Sequence, residues 1–161
     1  MDVKERVEQY LAIARSTGVF NQHDIDILDE VASDCVGNPD TTYVLLDEKI
    51  DGRAVGFVIV GRTPITTFGW DLYWLAVDAS AQGKGLALKL FARAEAYMQS
   101  VTGRAVVRIE TSSKDGYTPA RNLYVRAGYT EMGRIPEFYG ENDSLVMFFK
   151  SVGCQDAGCA R

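Results

Sequence analysis

Gly83-Lys84-Gly85 stands between an apolar run that ends at Val77 and an amphipathic run that begins at Leu86. Two glycines around a lysine just ahead of a helix make a cradle for an anion. Backbone N–H groups at a helix start lack internal partners, the helix dipole adds partial positive charge, and glycine lets a phosphate approach the main chain. Lys84 supplies a formal charge, although the same spacing also serves a plain strand-to-helix turn. Neither a P-loop nor a G-x-G-x-x-G pattern fits the stretch. The second chemical candidate is Glu110, which closes the run Val106-Val107-Arg108-Ile109. A carboxylate there is costly unless it meets water, a partner or a substrate, and partial burial would raise its pKa toward that of a useful base. Pairing with a nearby arginine is the plainer alternative. Asp71 and Tyr73, alternating on the run before the glycine loop, are the reserve candidates.

The elements that must position these groups follow from periodicity. Val3, Val7, Tyr10, Leu11 and Ala14 recur at helical spacing, and after the break at Thr17-Gly18 so do Ile25, Leu28, Val31, Ala32 and Cys35, with Asn21 as N-cap. The pattern then turns extended. Thr42 to Asp47 and Ala54 to Gly61 form an antiparallel hairpin around Asp51-Gly52, and Trp70 to Val77 adds a third strand. A helix is predicted from Lys84 to about Val101, capped by Gly103, and then a strand from Ala105 to Glu110. That strand is joined through the helix to the previous one, so the two should be parallel. A polar loop from Thr111 to Thr118, a short helix opened by Pro119 and ended near Gly128, and a closing antiparallel pair, Tyr129 to Arg134 with Leu145 to Lys150, complete the order.

Bulk properties bound the function. The 161 residues are 47% hydrophobic and 24% charged, ordinary values for a soluble globular domain. A net charge of −5 argues against nucleic acid as the main partner and is compatible with a cationic acceptor. No apolar run reaches membrane-spanning length and MDVKERVEQ lacks the regions of a signal peptide, so a cytoplasmic location without membrane attachment is expected. Three cysteines and one histidine give neither a disulfide framework nor a metal motif, and no metal is expected. His23 reads as a solvated residue in the first turn of the second helix. Residues 1–151 read as one domain and residues 152–161, with Cys154 and Cys159, as a flexible tail.

Gln82, Gly85 and Ala87 also fall into the register Q-x-x-G-x-A, and Leu123-Tyr124-Val125-Arg126-Ala127-Gly128-Tyr129 lies in the short helix after the next predicted strand and loop and just past its end. Together with the strand Leu75-Ala76-Val77 and the closing IPEFYGENDSLVMFFK, these segments resemble the GNAT superfamily of acyl-CoA-dependent N-acyltransferases over nearly the whole chain. The resemblance implies a mixed α/β fold: a largely antiparallel sheet whose central parallel pair splays to admit coenzyme A, here without the usual first strand, leaving six. It implies acetyl-CoA as acyl donor. Backbone groups of Leu75, Ala76 and Val77 would bond the pantetheine amides. Gln82, Gly83, Lys84, Gly85, Leu86, Ala87 and Leu88 would hold the pyrophosphate, and the N–H near Val77 would polarise the thioester carbonyl. Tyr124 matches the superfamily's tyrosine acid, and Glu110 occupies a position often taken by the base. Trp70, Asp71, Tyr73 and, in a late loop, Phe138 and Tyr139 are candidate walls of an acceptor pocket, with core packing as the alternative for the aromatics.

The chain departs from the superfamily pattern at Tyr117, where many members carry asparagine, and Arg121 either contacts the donor or lies on the surface. The expected activity is direct transfer of an acetyl group to a primary amine of a small molecule or peptide, with a homodimer possible. The alternative is a non-catalytic module of the same fold that binds coenzyme A.

Overall fold

A computed structural model describes residues 2–153. Helices α1 (Val3–Ser16) and α2 (Gln22–Gly37) are followed by strands β1 (Tyr43–Ile50), β2 (Arg53–Arg62) and β3 (Gly69–Val77), helix α3 (Leu86–Thr102), strand β4 (Ala105–Ser112), helix α4 (Thr118–Arg126) and strands β5 (Thr130–Gly140) and β6 (Asp143–Val152). The six strands form a sheet in the order β1-β2-β3-β4-β6-β5. The described residues belong to two compact units, one made of the chain up to Gly61 with Trp74–Arg93, the other of Arg62–Tyr73 with the chain from Ala94 onward.

In the first unit both helices open on reciprocal caps. The Asp2 carboxylate accepts from the Glu5 N–H at 2.7 Å while Glu5 accepts from the Asp2 N–H at 2.9 Å. Asn21 and Asp24 repeat the arrangement at α2, satisfying N–H groups that a helix start otherwise leaves bare. Val7, Tyr10, Leu11, Ala14, Ile25, Leu28 and Ala32 pack with Phe57, Ile59 and Ala76 into one apolar core, and Trp74 lies against it and against Phe20, ring centroids 5.2 Å apart. Asp51 and Gly52 both take positive φ, 50° and 79°, the conformation of a two-residue type I′ hairpin between Ile50 and its partner Arg53. The β1–β2 register shifts by one residue after Glu48. At that irregularity buried Glu48 receives Lys89 Nζ at 2.6 Å and Arg93 Nη1 at 2.9 Å, both from α3.

In the second unit the parallel ladder between β3 and β4 runs from Gly69↔Val106 to Asp71↔Arg108 among the described residues. β4 then continues to Ser112 alongside antiparallel β6. Lys150 of β6 donates to both carboxylate oxygens of Glu95 at 2.9 Å and to the Ala127 carbonyl at 2.8 Å, and its ammonium lies 5.6 Å from the centre of the buried Tyr129 ring. This group ties the end of α4 to α3 and the sheet.

The element order matches the sequence reading, with three corrections. The stretch expected as a loop from Thr111 begins as two further residues of β4, because Thr111 and Ser112 pair with Val146 and Leu145. Phe138 and Tyr139 lie within β5 rather than in a loop. β5 extends to Gly140 opposite Asp143, but its register breaks between Ile135 and Gly140, where Glu137 takes φ 53°. The last strand reaches Val152, and the tail with Cys154 and Cys159 lies outside the described residues. Six strands are present among the described residues, as expected without the usual first one.

Two predictions follow from the ion pairs. Lys150→Met leaves the partly buried Glu95 carboxylate without its cation and is expected to lower unfolding free energy by about 2 kcal/mol in urea titration. The Lys89 hydrogen bond, with help from Arg93, holds the Glu48 carboxyl below the usual carboxylate range. A group with a lowered folded pKa contributes stability that is present above its unfolded value and lost as pH falls through the folded one. Urea titrations between neutral and acid pH should therefore show a steeper acid loss for wild type than for Glu48→Gln.

Candidate active site

In the first unit the chain is steered from β3 into α3 by a series of backbone anchors. The Val55 carbonyl, at the register shift of β2, accepts the Asp78 N–H at 2.8 Å. Gly56 lets the strands approach closely beside it, since a Cβ there would lie 3.2 Å from the Ala76 carbonyl oxygen, a tight contact. Asp78 caps a single 3-10 turn, Ala79–Ala81, by accepting from the Ser80 N–H at 2.9 Å. Gln82 Nε2 then turns back and donates to the Val77 carbonyl at 3.1 Å. Gln82 therefore shapes the loop, with its amide engaged on the protein's own backbone.

Gly83 and Gly85 follow with φ of 76° and 75°, and a Cβ built on either would meet nothing within 4 Å. Glycine is needed there for its left-handed backbone, and the space beside it is open. The Gly85 carbonyl accepts the Lys89 N–H at 3.1 Å, the first α-helical bond of α3. The N–H groups of Gly85, Leu86, Ala87 and Leu88 accordingly lie ahead of the helical hydrogen-bond ladder. Residues 82 to 85 are exposed, Lys84 among them. Fixed donors, a dipole end, a cation and room for a bulky anion fit a pyrophosphate.

In the second unit the alternation of β4 sorts its side chains. Ala105, Val107, Ile109 and Thr111 are buried while Val106, Arg108 and Glu110 are exposed. Glu110 thus departs from the expectation of partial burial. Its side chain is 40% accessible, it lies two residues short of the strand end, and its nearest charged partner is Arg108 Nη1 at 3.7 Å. Of the two candidate bases, Asp71 is the buried one. It accepts from Arg108 Nε at 2.7 Å on one oxygen and from the Thr63 hydroxyl at 2.7 Å on the other.

Tyr124, on α4, lies on the opposite side of β4 from Glu110. Its ring meets Phe148 edge-on at 5.4 Å, Phe148 pairs with Ile109, and its phenol is hydrogen-bonded to Thr111. Burial pushes the phenol up to about 12 despite the lowering effects of Thr111 and Arg121. Ionising Tyr117 or Tyr139 would raise the same phenol further, so three tyrosines lie near one another there. Tyr139 is itself pushed up by burial and then by the carboxylate charges of Glu110 and Asp143.

The aromatic candidates separate. Trp70 is 2% exposed, donates from Nε1 to the Thr102 hydroxyl at 3.2 Å and packs edge-on against Tyr97, which makes it a core residue. Tyr73, Phe138 and Tyr139 are exposed, the last two in edge contact with ring centres 5.4 Å apart. Thr111 was not singled out by sequence reasoning. Continuing the apolar alternation of β4 past Glu110 would have found it on the buried face. Arg121 neither projects freely nor stands ready for an anion, because its guanidinium donates to the Ser112 carbonyl at 2.6 Å, the Lys114 carbonyl at 3.0 Å and the Thr118 hydroxyl at 2.9 Å.

These features agree with what the chain is similar to. The sequence model of the Acetyltransferase (GNAT) domain matches residues 38–131. The chain belongs to the GNAT acetyltransferase family and is an acyl-CoA-dependent acyltransferase. It is 22% identical over 145 residues to an uncharacterized N-acetyltransferase of Methanocaldococcus jannaschii, covering 81% of this chain and 88% of that protein. A crystal structure from Desulfovibrio desulfuricans, assigned to the GNAT acetyltransferases, superposes with TM-score 0.85 at 26% identity, covering 91% of this chain and 92% of the other. An aminoglycoside 6′-N-acetyltransferase complexed with coenzyme A shares the fold, with TM-score 0.71, 16% identity and 92% of each chain covered.

The loop geometry generates a direct test. Gly85→Asp forces a β-carbon into a left-handed position, at a cost of about 1–2 kcal/mol, and sets a negative charge where the cradle offers N–H groups. Calorimetric titration of the folded variant with coenzyme A is expected to show affinity reduced by about tenfold or more.

Proposed function

We propose that the protein transfers an acetyl group from acetyl-CoA directly to a primary amine of a small molecule or a peptide. The observation that carries this reading is the pair of left-handed glycines with open space beside them at the start of α3. Acetyl-CoA, when bound, supplies an electrophilic thioester carbon and a thiolate leaving group.

In this reading the N–H groups of Gly85, Leu86, Ala87 and Leu88 take the pyrophosphate oxygens, Gly83 keeps the approach open, and Lys84 adds charge. Main-chain groups of Leu75, Ala76 and Val77 bond the pantetheine amides, and the Val77 N–H polarises the thioester carbonyl as negative charge develops on its oxygen. Gln82 steadies the loop through its bond to the Val77 carbonyl.

Tyr124 acts on the leaving group. A phenol held at about 12 is a weaker acid than an ordinary thiol, near 8.5. It therefore stabilises the thiolate chiefly by donating a hydrogen bond as charge appears, and it stays protonated through the neutral range. Glu110 is the base. It is accessible and carries no such clamp as binds both oxygens of Asp71, so it can take the ammonium proton directly or through water. Tyr73, Phe138 and Tyr139 are the aromatic surfaces left to contact the acceptor. Trp70 is assigned to the core. A cytoplasmic location belongs to the same reading; among the described residues no helix is long and apolar enough to cross a membrane.

The first experiment is calorimetric titration with acetyl-CoA, using ATP as control, followed by thiol release across a panel of amines, alcohols and peptides. Selective binding and release with amines support the reading, whereas release only with alcohols overturns the acceptor assignment. Tyr124→Phe is expected to lower kcat by about 10²-fold with little change in affinity for acetyl-CoA. Glu110→Gln should lower kcat/KM most at neutral pH and least at alkaline pH, where the amine loses its proton unaided. A uniform loss across pH would take the base role from Glu110.

A further inference from the structure

The three hydrogen bonds of Arg121 gather three successive parts of the chain onto one side chain, adding to the local bonds from the Lys114 N–H to the Ser112 hydroxyl and from the Tyr117 N–H to the Lys114 carbonyl. The Ser112 carbonyl belongs to the last residue of β4, the Lys114 carbonyl to the link that follows, and the Thr118 hydroxyl to the first residue of α4. A planar guanidinium holds several donors in fixed directions and satisfies all three at once from one side chain. The same strand end is fastened from the other side. Buried Asp143 accepts from the Ser112 hydroxyl and, at 3.2 Å, from the Ser113 N–H, while the Ser113 hydroxyl accepts from the Ser144 N–H at 2.8 Å.

Thr111 immediately precedes Ser112, and Tyr124 follows Arg121 by three residues on α4, one helical turn away. The helix lacks a side-chain cap at Tyr117 and spans nine residues, too few to hold its own position. We infer that Arg121 is a positioning residue which locks the start of α4 to the end of β4 and so fixes the Tyr124 hydroxyl against Thr111. The inference rests on the proposed role of Tyr124 for its catalytic consequence, though the geometric one stands apart from it. Arg121 acts through the carbonyls and hydroxyl it holds; its charge also favours the ionised Tyr124 phenol, an effect that Arg121→Lys keeps.

The test uses the full chain labelled with 3-fluorotyrosine, whose eight tyrosines give separable fluorine resonances, Tyr124 being assigned by its loss in Tyr124→Phe. In Arg121→Met the Tyr124 resonance should move toward the position of the free amino acid. Turnover should fall about tenfold to a hundredfold, with affinity for acetyl-CoA held within about twofold. Arg121→Lys, which keeps the charge and one or two of the bonds, should recover part of both signals. If the methionine variant does not fold, the lysine variant is read in the same way against wild type. The double variant Arg121→Met with Tyr124→Phe should be no slower than Tyr124→Phe alone, because the two changes remove one function.

An unmoved fluorine resonance overturns the inference, as does a turnover loss that multiplies with that of Tyr124→Phe. Wild-type turnover in Tyr124→Phe would overturn the acid role itself. The fluorine shift would then decide the positioning by Arg121 on its own.

Discussion

The left-handed backbone at Gly83 and Gly85 is the constraint on which the first unit turns. A chain leaving β3 must reverse within a few residues and enter α3 with its first N–H groups facing outward, and L-residues with a β-carbon resist that path. The path is held at its edges rather than at the glycines. The carbonyl of Val55 fixes the Asp78 N–H, Asp78 caps the short turn, and Gln82 grips the Val77 carbonyl. Lys89 and Arg93, the other cations on the early turns of α3, are drawn to Glu48. The positive character left at the helix start is that of the backbone itself and of Lys84.

The second unit is governed by strand alternation. Because successive residues of β4 face opposite ways, Glu110 and Thr111 cannot serve the same side of the sheet. Tyr124 reaches Thr111 on the buried side and is desolvated there, while Glu110 stays with Arg108 on the accessible side. The two proposed proton-handling groups thus approach β4 from opposite faces. Lys150, on Glu95 and the Ala127 carbonyl, fastens the end of α4 as Arg121 fastens its start.

Much of this was legible before folding. The Asn21 cap, the Asp51-Gly52 hairpin and the apolar stripes of α1, α2 and α3 are local signals, decided by dihedral preference and periodicity within a few residues. The Gln82-to-Ala87 register and the Leu123-to-Tyr129 segment are equally local, and with the element order they identified the family. Errors arose where a distant partner decides. Thr111 and Ser112 carry polar side chains that suggest a loop, yet pairing with Val146 and Leu145 keeps them in β4. Phe138 and Tyr139 remain in β5 because the strand continues across a register break that no local pattern announces.

Charges and aromatic rings show the same boundary most clearly. The sequence by itself determined which side chains could act as acid, base or anion cradle, since those properties belong to residue type and near neighbours. It could not say that Asp71 would be buried and clamped by Arg108 and Thr63, that Glu110 would be open, or that Trp70 would vanish into the core against Tyr97. Nor could it say that Arg121 would spend its donors on the chain's own carbonyls. Those outcomes depend on which residues, 30 or more positions away in several cases, are brought within hydrogen-bond reach. Desolvation and pairing are properties of that assembled neighbourhood, so only the tertiary structure decided them.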